Sequence, residues 1–159
     1  MKIDAIIDGK TLSLDINSNK PLSLILMEDL ANDSIKSHCQ GNGCGLCVVL
    51  MDGKAVLSCM VPAFQIRGKS IITFESFSKS RNYRDIEKAY EACKVRPCPI
   101  CYKAKTMLLE TLISQGITDK GEIQREISSI RCSCMEAESC YRVVLSAIEI
   151  RRRRRARKS

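Results

Sequence analysis

Alternating apolar and polar positions at the start of the chain predict two short β-strands. The apolar members of the two runs are Ile3, Ala5, Ile7, Leu12, Leu14 and Ile16. A repeat of two residues is typical of a strand with one buried face. Asp8-Gly9 lies between the runs, and this dipeptide favours the tight turn of a hairpin. We therefore expect an antiparallel hairpin at residues 3–16.

The next stretch predicts one short helix and further strands. Pro21 precedes three leucines spaced by four, a pattern that suits a helix packed on a sheet; they are Leu22, Leu26 and Leu30. Strands are expected at residues 47–51 and 54–57, joined by an Asp52-Gly53 turn, and at residues 70–74.

After residue 76 the apolar repeat lengthens to that of α-helices. Residues 76–82 are polar and predict a linker. Four amphipathic segments follow, and we expect Gly116 to end the second of them. Their inward positions are Ile86, Ala89, Tyr90; Ala104, Met107, Leu108, Leu112; Ile123, Ile127, Ile130; and Val143, Val144, Ala147, Ile148. The pattern predicts a small four-helix bundle, and hence an α+β chain with a strand-rich half before a helical half.

Composition narrows the classes of partner. The chain has 159 residues, 45% of them hydrophobic, and a net charge of +8. Seven of the basic residues lie at positions 151–159, and without them 19 basic residues stand against 18 acidic ones. We expect residues 151–159 to form a solvated basic tail. Docking on an acidic partner subunit is the first alternative, and attraction to nucleic acid or a membrane surface is the weakest. Trp is absent and no apolar run nears the roughly 20 residues of a membrane span, so we expect a protein that binds neither membrane nor nucleic acid. Residues 1–4 do not resemble a secretory signal, so we expect a cytoplasmic protein whose thiols stay reduced.

Four cysteines of the strand-rich half have the spacing of an iron–sulfur site. They are Cys39, Cys44, Cys47 and Cys59. The first three follow C-x4-C-x2-C, the opening of the plant-type 2Fe–2S ferredoxin pattern. Gly41, Gly43 and Gly45 allow the loop to wrap closely and to aim backbone N–H groups at sulfur. The pattern predicts a 2Fe–2S cluster; zinc and inert buried thiols are the alternatives.

A second set of cysteines lies in the helical half. Its members are Cys98, Cys101, Cys132 and Cys134, arranged as C-x2-C and C-x-C. The first pair precedes a predicted helix, whose positive N-terminal end favours thiolates. By itself, this spacing is compatible with zinc and with an iron–sulfur cluster.

Both sets resemble those of one enzyme family. Residues 44–59, CGLCVVLMDGKAVLSC, are similar to the first-cluster signature of the small two-cluster iron–sulfur subunit of molybdenum hydroxylases. This family includes xanthine dehydrogenase, aldehyde oxidoreductase and carbon monoxide dehydrogenase. The spacing from Ala89-Tyr90 to Cys98 and both pairs of the second set also fit, so the resemblance extends over about residues 2–150.

The resemblance implies a fold and a role. It implies a β-grasp 2Fe–2S ferredoxin-like domain at residues 1–76, a four-helix-bundle 2Fe–2S domain at residues 83–150 and a basic tail at residues 151–159. Two 2Fe–2S clusters would relay electrons from a molybdopterin-binding large subunit to an FAD-binding subunit. The chain would then be the electron-transfer subunit of an oxidoreductase complex, with no catalytic residue of its own.

The sequence departs from the family around the second set. Pro97 stands where the family usually has Gln, Pro99 where it has Gly, and Ser133 where it has Arg; Tyr102-Lys103-Ala104 replaces Thr-Pro-Gly. Proline lacks a backbone N–H. We therefore expect fewer N–H···S hydrogen bonds at the second cluster and a lower reduction potential than in its relatives.

Other interpretations stay open at this point. The chain could be a redox-sensing or partner-bridging module with one 2Fe–2S cluster and a zinc or empty second site, or a standalone ferredoxin. Cys140 could replace a ligand of the second set, whereas Cys93 is expected to be a structural thiol. The single histidine, His38, excludes a two-histidine Rieske site, and we expect it in a loop near solvent.

Overall fold

The protein is described by a computed structural model that covers residues 1–35 and 44–158. The chain divides into two compact units, Met1–Ser76 and Phe77–Ser159. Each unit buries its own apolar side chains. The strand-rich and helical halves expected from the hydrophobic pattern therefore correspond to separate cores.

Among its described residues, the first unit is built on a five-stranded mixed sheet. Its strands are β1 (Lys2–Ile7), β2 (Lys10–Asp15), β3 (Val48–Met51), β4 (Lys54–Leu57) and β5 (Ser70–Ile72). Their order in the sheet is β2-β1-β5-β3-β4. β1 and β5 run parallel, and the other neighbours are antiparallel. Both predicted hairpins, β1–β2 and β3–β4, are confirmed.

Short helical segments connect the strands. They are α1 (Leu22–Leu24) with the π-helical turn Ile25–Asp29, the 3-10 turns Ser58–Met60 and Ala63–Ile66, and α2 (Phe74–Phe77). The last predicted strand is too long, because β5 ends at Ile72. The backbone N–H and hydroxyl of Thr73 both donate to the Asp8 carboxylate, at 2.8 Å each. These bonds hold Thr73 at the β1–β2 turn, and the chain leaves the sheet there.

The alternating pattern of β1 points one face into the core. Ile3, Ala5 and Ile7 are buried, and Leu22 and Leu26 pack in the same cluster. Full burial of one such isoleucine or leucine contributes about 1.5–3 kcal/mol. The apolar positions of β2 and Ile16 are only half-buried, as expected of a sheet edge.

The second unit is helical. Its main elements are α3 (Arg81–Cys93), α4 (Tyr102–Ser114), α5 (Lys120–Ile127) and α6 (Ala137–Ala156). α6 contacts each of the other three helices. The predicted apolar faces are buried, including Ile86, Met107, Ile123 and Val143. Among the residues that the structure describes, no helix is both long and apolar enough to cross a membrane.

Local hydrogen bonds explain where these helices begin and end. Ser80 caps α3 by accepting from the backbone N–H of Tyr83, and Asp119 caps α5 by accepting from that of Glu122. Gly116, the predicted stop after α4, adopts a left-handed conformation with φ of 67°. The sequence thus contains the boundary signals of two helix starts and one helix end.

The structure corrects the expectation of a solvated tail from Arg151. Residues 151–156 continue α6, and the Arg151 side chain is only 5% exposed. Its guanidinium donates to Asp85 at 3.2 Å and to Glu110 at 2.7 Å. Arg154 also donates to Asp85, at 2.8 Å. Acidic groups of α3 and α4 therefore stabilise a run of like charges that would fray an isolated helix.

Candidate metal centres

The β3–β4 hairpin positions two cysteines of the first set. Cys47 directly precedes β3, and Cys59 lies in the 3-10 turn that follows β4. The antiparallel register pairs Val48 with Leu57, which brings the two ends of the hairpin together. Ser58 fixes this closure, because its backbone N–H and its hydroxyl donate to the Cys47 carbonyl at 3.0 and 2.8 Å.

Within the part of the chain that the structure describes, an N–H···S contact is formed at the first set. The backbone N–H of Cys59 lies 3.4 Å from Cys47 Sγ. Cys47 is buried, whereas Cys44 and Cys59 are half-buried. Between Cys44 and Cys47, Gly45 adopts a left-handed φ of 78°, which favours glycine in this loop. Donors to sulfur of this kind tune iron–sulfur potentials.

The described residues include only part of the first set. Cys39, Gly41, Gly43 and His38 lie outside the described residues. Three of the four predicted ligands of the first set are therefore visible.

The second set is assembled from two chain segments of the helical unit. Cys98 and Cys101 precede α4, where a turn forms because Cys101 N–H and Tyr102 N–H donate to the Cys98 carbonyl. Cys132 and Cys134 lie in the segment between α5 and α6. Cys101 is buried, whereas Cys134 is exposed, so the site reaches the surface on one side.

The four sulfur atoms of the second set converge. All lie within 4.8 Å of one another. Cys98 Sγ is 3.5 Å from the sulfurs of Cys101 and Cys132, and Cys101 Sγ is 3.1 Å from that of Cys134. In the described ranges, this is the one group of three or more potential metal-binding side chains that is so compact. Cys44, Cys47 and Cys59 do not form such a group.

Two nitrogen donors approach the sulfur of Cys134. The backbone N–H of Cys98 lies 3.3 Å from Cys134 Sγ, although prolines flank Cys98 on both sides. The ammonium of Lys105 lies 3.4 Å from the same sulfur and donates to the Cys132 carbonyl at 2.9 Å. Sequence reasoning missed Lys105. Its position four residues after Cys101 was the available signal, because such a spacing places two residues on the same helix face.

The surroundings shift the pKa values of Cys98 and Cys101 in opposite directions. The backbone N–H of Cys101 is the main group that lowers the pKa of Cys98, to about 6. Burial raises the pKa of Cys101. Metal binding requires thiolates, and the lowered pKa of Cys98 favours its thiolate form.

The remaining cysteines of the helical unit stand apart from the group. Cys140 is fully buried, and burial raises its pKa to about 11. It does not belong to the compact sulfur set, so the structure gives it no place as a replacement ligand. Cys93 is half-buried, and its carbonyl accepts from Arg142.

The second set fits a thiolate-bound metal centre. It supplies four convergent sulfurs, an amide N–H and a nearby cation, which together compensate negative charge on sulfur. Four cysteines can hold either a 2Fe–2S cluster or one zinc ion. The donor set alone is therefore compatible with both.

Comparison with known proteins identifies the class of protein to which the first unit belongs. The model of the 2Fe-2S iron-sulfur cluster binding domain matches residues 5–70, which include all four cysteines of the first set. The first unit is thus that of a 2Fe–2S protein.

The similarity also extends over both units. The chain is 30% identical over 147 residues to the xanthine dehydrogenase iron-sulfur-binding subunit of Escherichia coli O157:H7, covering 90% of this chain and 91% of that protein. It is 28% identical over 148 residues to the nicotine 6-hydroxylase small subunit of Paenarthrobacter nicotinovorans, covering 92% and 89%. The chain belongs to the family of iron–sulfur subunits of xanthine dehydrogenase-like molybdenum hydroxylases.

A solved structure has the same fold. The chain superposes on quinoline 2-oxidoreductase from Pseudomonas putida with a TM-score of 0.77 and 24% identity, covering 96% of each chain. The arrangement of strands and helices is therefore that of a known fold.

Proposed function

We propose that this chain is an electron-transfer subunit that carries two 2Fe–2S clusters. Cys39, Cys44, Cys47 and Cys59 would bind one cluster, and Cys98, Cys101, Cys132 and Cys134 the other. Electrons would pass from a molybdopterin site on a large subunit, through both clusters, to FAD on another subunit. Substrate chemistry would take place on the partner, and this chain would contribute no catalytic residue.

Each of two domains would hold one cluster. Residues 1–76 would form a β-grasp ferredoxin-like domain, and residues 83–150 a four-helix-bundle domain. The match of residues 5–70 to a 2Fe-2S domain supports the first cluster. The ion pairs of Arg151 and Arg154 connect residues beyond 150 to the helical part, so we extend this domain through α6.

The observation that carries the proposal is the convergence of the second set. Cysteines separated by thirty residues bring four sulfurs within 4.8 Å, next to two hydrogen-bond donors. Buried thiols without a metal need no such arrangement. The same pairs of cysteines occur in the motif of the family that the sequence resembles.

The chain's own residues would hold and tune the clusters. A 2Fe–2S cluster supplies one-electron transfer. Backbone N–H groups of Cys59 and Cys98 donate to sulfur, which favours the more negative, reduced state. Burial of Cys47 and Cys101 keeps water from one side of each site, while the exposed Cys134 offers a side for electron exchange.

Exposed apolar side chains border both centres and support docking of partner subunits. Met60 follows Cys59 and is 68% exposed, and Ile100 precedes Cys101 and is 63% exposed. Burial of an exposed apolar side chain under a partner subunit stabilises the complex. Each cluster would thus lie where a partner subunit makes contact.

One observation favours a second candidate function. A tetrahedral zinc ion bound at about 2.3 Å places its sulfur ligands about 3.8 Å apart, and the second set is similarly compact. In that case the chain would be a redox-sensing or partner-bridging module with one 2Fe–2S cluster and a zinc site.

Metal analysis of the anaerobically purified chain separates the two candidates. Our proposal predicts about four irons and four acid-labile sulfides per chain. Cys132→Ser should lower both by about half, and so should Cys47→Ser. Cys93→Ser is the matched control and should change neither, because Cys93 belongs to neither set.

About two irons together with about one zinc per chain would reject the two-cluster proposal in favour of the second candidate. Iron that is unaffected by Cys132→Ser would likewise reject the second cluster.

A further inference from the structure

Lys105 is a fully buried cation in contact with the second cysteine set. It lies in the first turns of α4, with 0% of its surface exposed. Its ammonium donates to the Cys132 carbonyl at 2.9 Å and to Cys134 Sγ at 3.4 Å. Lysine is almost never fully buried unless its charge is paired.

Sulfur is the group beside this ammonium that can carry a counter-charge. Within the described residues, no carboxylate oxygen lies within ion-pair distance of the Lys105 ammonium, whereas the buried Arg151 has two carboxylate partners. Transfer of an ammonium out of water is costly unless a counter-charge offsets it. A thiolate at Cys134 would provide that counter-charge.

We propose that Lys105 is a positioning residue that raises the reduction potential of the second cluster by pairing its charge with Cys134. This inference rests on the proposed function. Uptake of one electron, delivered from the molybdopterin side, adds negative charge to the sulfurs. A fixed cation in a dry site stabilises the reduced state more than the oxidised state.

The surroundings explain why a cation is useful here. Pro97 and Pro99 remove two backbone N–H donors beside Cys98. Among the described residues, the nitrogen donors to Cys134 Sγ are the Cys98 N–H and the Lys105 ammonium. Lys105 thus supplies the charged donor at this sulfur, and it counteracts the low potential expected from the two missing proline N–H groups.

The test is a redox titration of the iron-loaded chain, followed by electron paramagnetic resonance. Lys105→Met removes the charge and keeps the length of the side chain. We expect the ratio of reduced to oxidised second cluster at fixed potential to fall at least tenfold, a shift of about 59 mV for one electron. The signal assigned to the first cluster should titrate as before.

Three variants separate charge from packing. Lys105→Arg keeps the charge, so the second cluster should retain most of its wild-type potential. Lys105→Gln keeps a hydrogen-bond donor without the charge, so the potential of the second cluster should be lower. Lys103→Met is the matched control, because it removes an exposed lysine of the same helix and water screens that charge. It should leave both potentials unchanged.

The outcomes distinguish this inference from the proposed function. Four irons with an unshifted second potential in Lys105→Met would overturn the inference alone. A wild-type chain with only two irons would overturn the two-cluster function and, with it, the inference. If Lys105→Met does not retain the second cluster, the same criterion applies to Lys105→Gln.

Discussion

The guanidinium of Arg151 lies 2.7 Å from the carboxylate of Glu110, and both side chains are about 95% buried. The same guanidinium donates to Asp85 at 3.2 Å. These bonds connect α6 to α3 and α4 at the end of the chain. A residue from a run of arginines is thus part of the interior of the helical unit.

Replacement of Arg151 should destabilise the helical unit. Arg151→Met leaves Glu110 buried without its cationic partner, and loss of one member of a buried pair costs about 3–5 kcal/mol. Denaturant unfolding followed by circular dichroism measures this change. Arg155→Met is the matched control, because Arg155 is exposed, and it should change the unfolding free energy little. Equal stabilities of the two variants would contradict the buried network.

Metal removal should expose a reactive thiol at Cys98. Its pKa is lowered to about 6, so in metal-free protein the thiolate predominates at pH 7 and is lost below about pH 6. Alkylation by iodoacetamide should therefore have a component with a midpoint near pH 6. Cys98→Ser should remove that component, and Cys140, with its raised pKa, should react slowly.

Protection by metal is the second half of this experiment. The chain as purified should resist alkylation at Cys98, since a bound thiolate is shielded. A midpoint near 9.0, the ordinary value for a cysteine, would show that the turn before α4 does not lower the Cys98 pKa.

Restoring an amide donor beside Cys98 should raise the potential of the second cluster. Pro99 is exposed, so Pro99→Gly supplies an N–H without disturbing the core. Pro99→Ala supplies the same N–H with less backbone freedom and should shift the potential in the same direction. Redox titration of both variants measures the effect. An unchanged or lowered potential in both would refute the role of the missing donors.

An added charge at Ile100 should weaken assembly with partner subunits. Ile100→Glu puts a carboxylate on the apolar surface beside the second set, and we expect a loss of about 1–2 kcal/mol of binding, roughly five- to thirty-fold. The yield of larger subunits that co-purify with the tagged chain measures it. Leu145→Glu alters a less exposed apolar residue of α6 and is the control. Equal yields from both variants and wild type would remove Ile100 from the interface.

Periodicity predicted most of the fold, because the relevant signals are local. The alternation at Ile3, Ala5 and Ile7 and the two Asp-Gly turns determined both hairpins. The positions of the helices were predicted from apolar residues at helical spacing, such as Ile86, Ala89 and Tyr90. The end of β5 was not predictable, because the bonds between Thr73 and Asp8 join residues 65 positions apart.

The same reasoning explains what was missed in the helical unit. Arg151 and its acidic partners are separated by 41 and 66 positions, so a run of like charges gave no sign of its counter-charges. The cysteine spacing predicted which sulfurs of the second set would meet. It did not reveal Lys105, because the 27 positions to Cys132 close only in the folded chain.

The most direct test of the central claim is a spin count on the anaerobic, dithionite-reduced chain by electron paramagnetic resonance. Two 2Fe–2S clusters predict about two spins per chain in two distinct signals, of which Cys47→Ser removes one and Cys132→Ser the other. A single signal of about one spin that persists in Cys132→Ser would contradict the account.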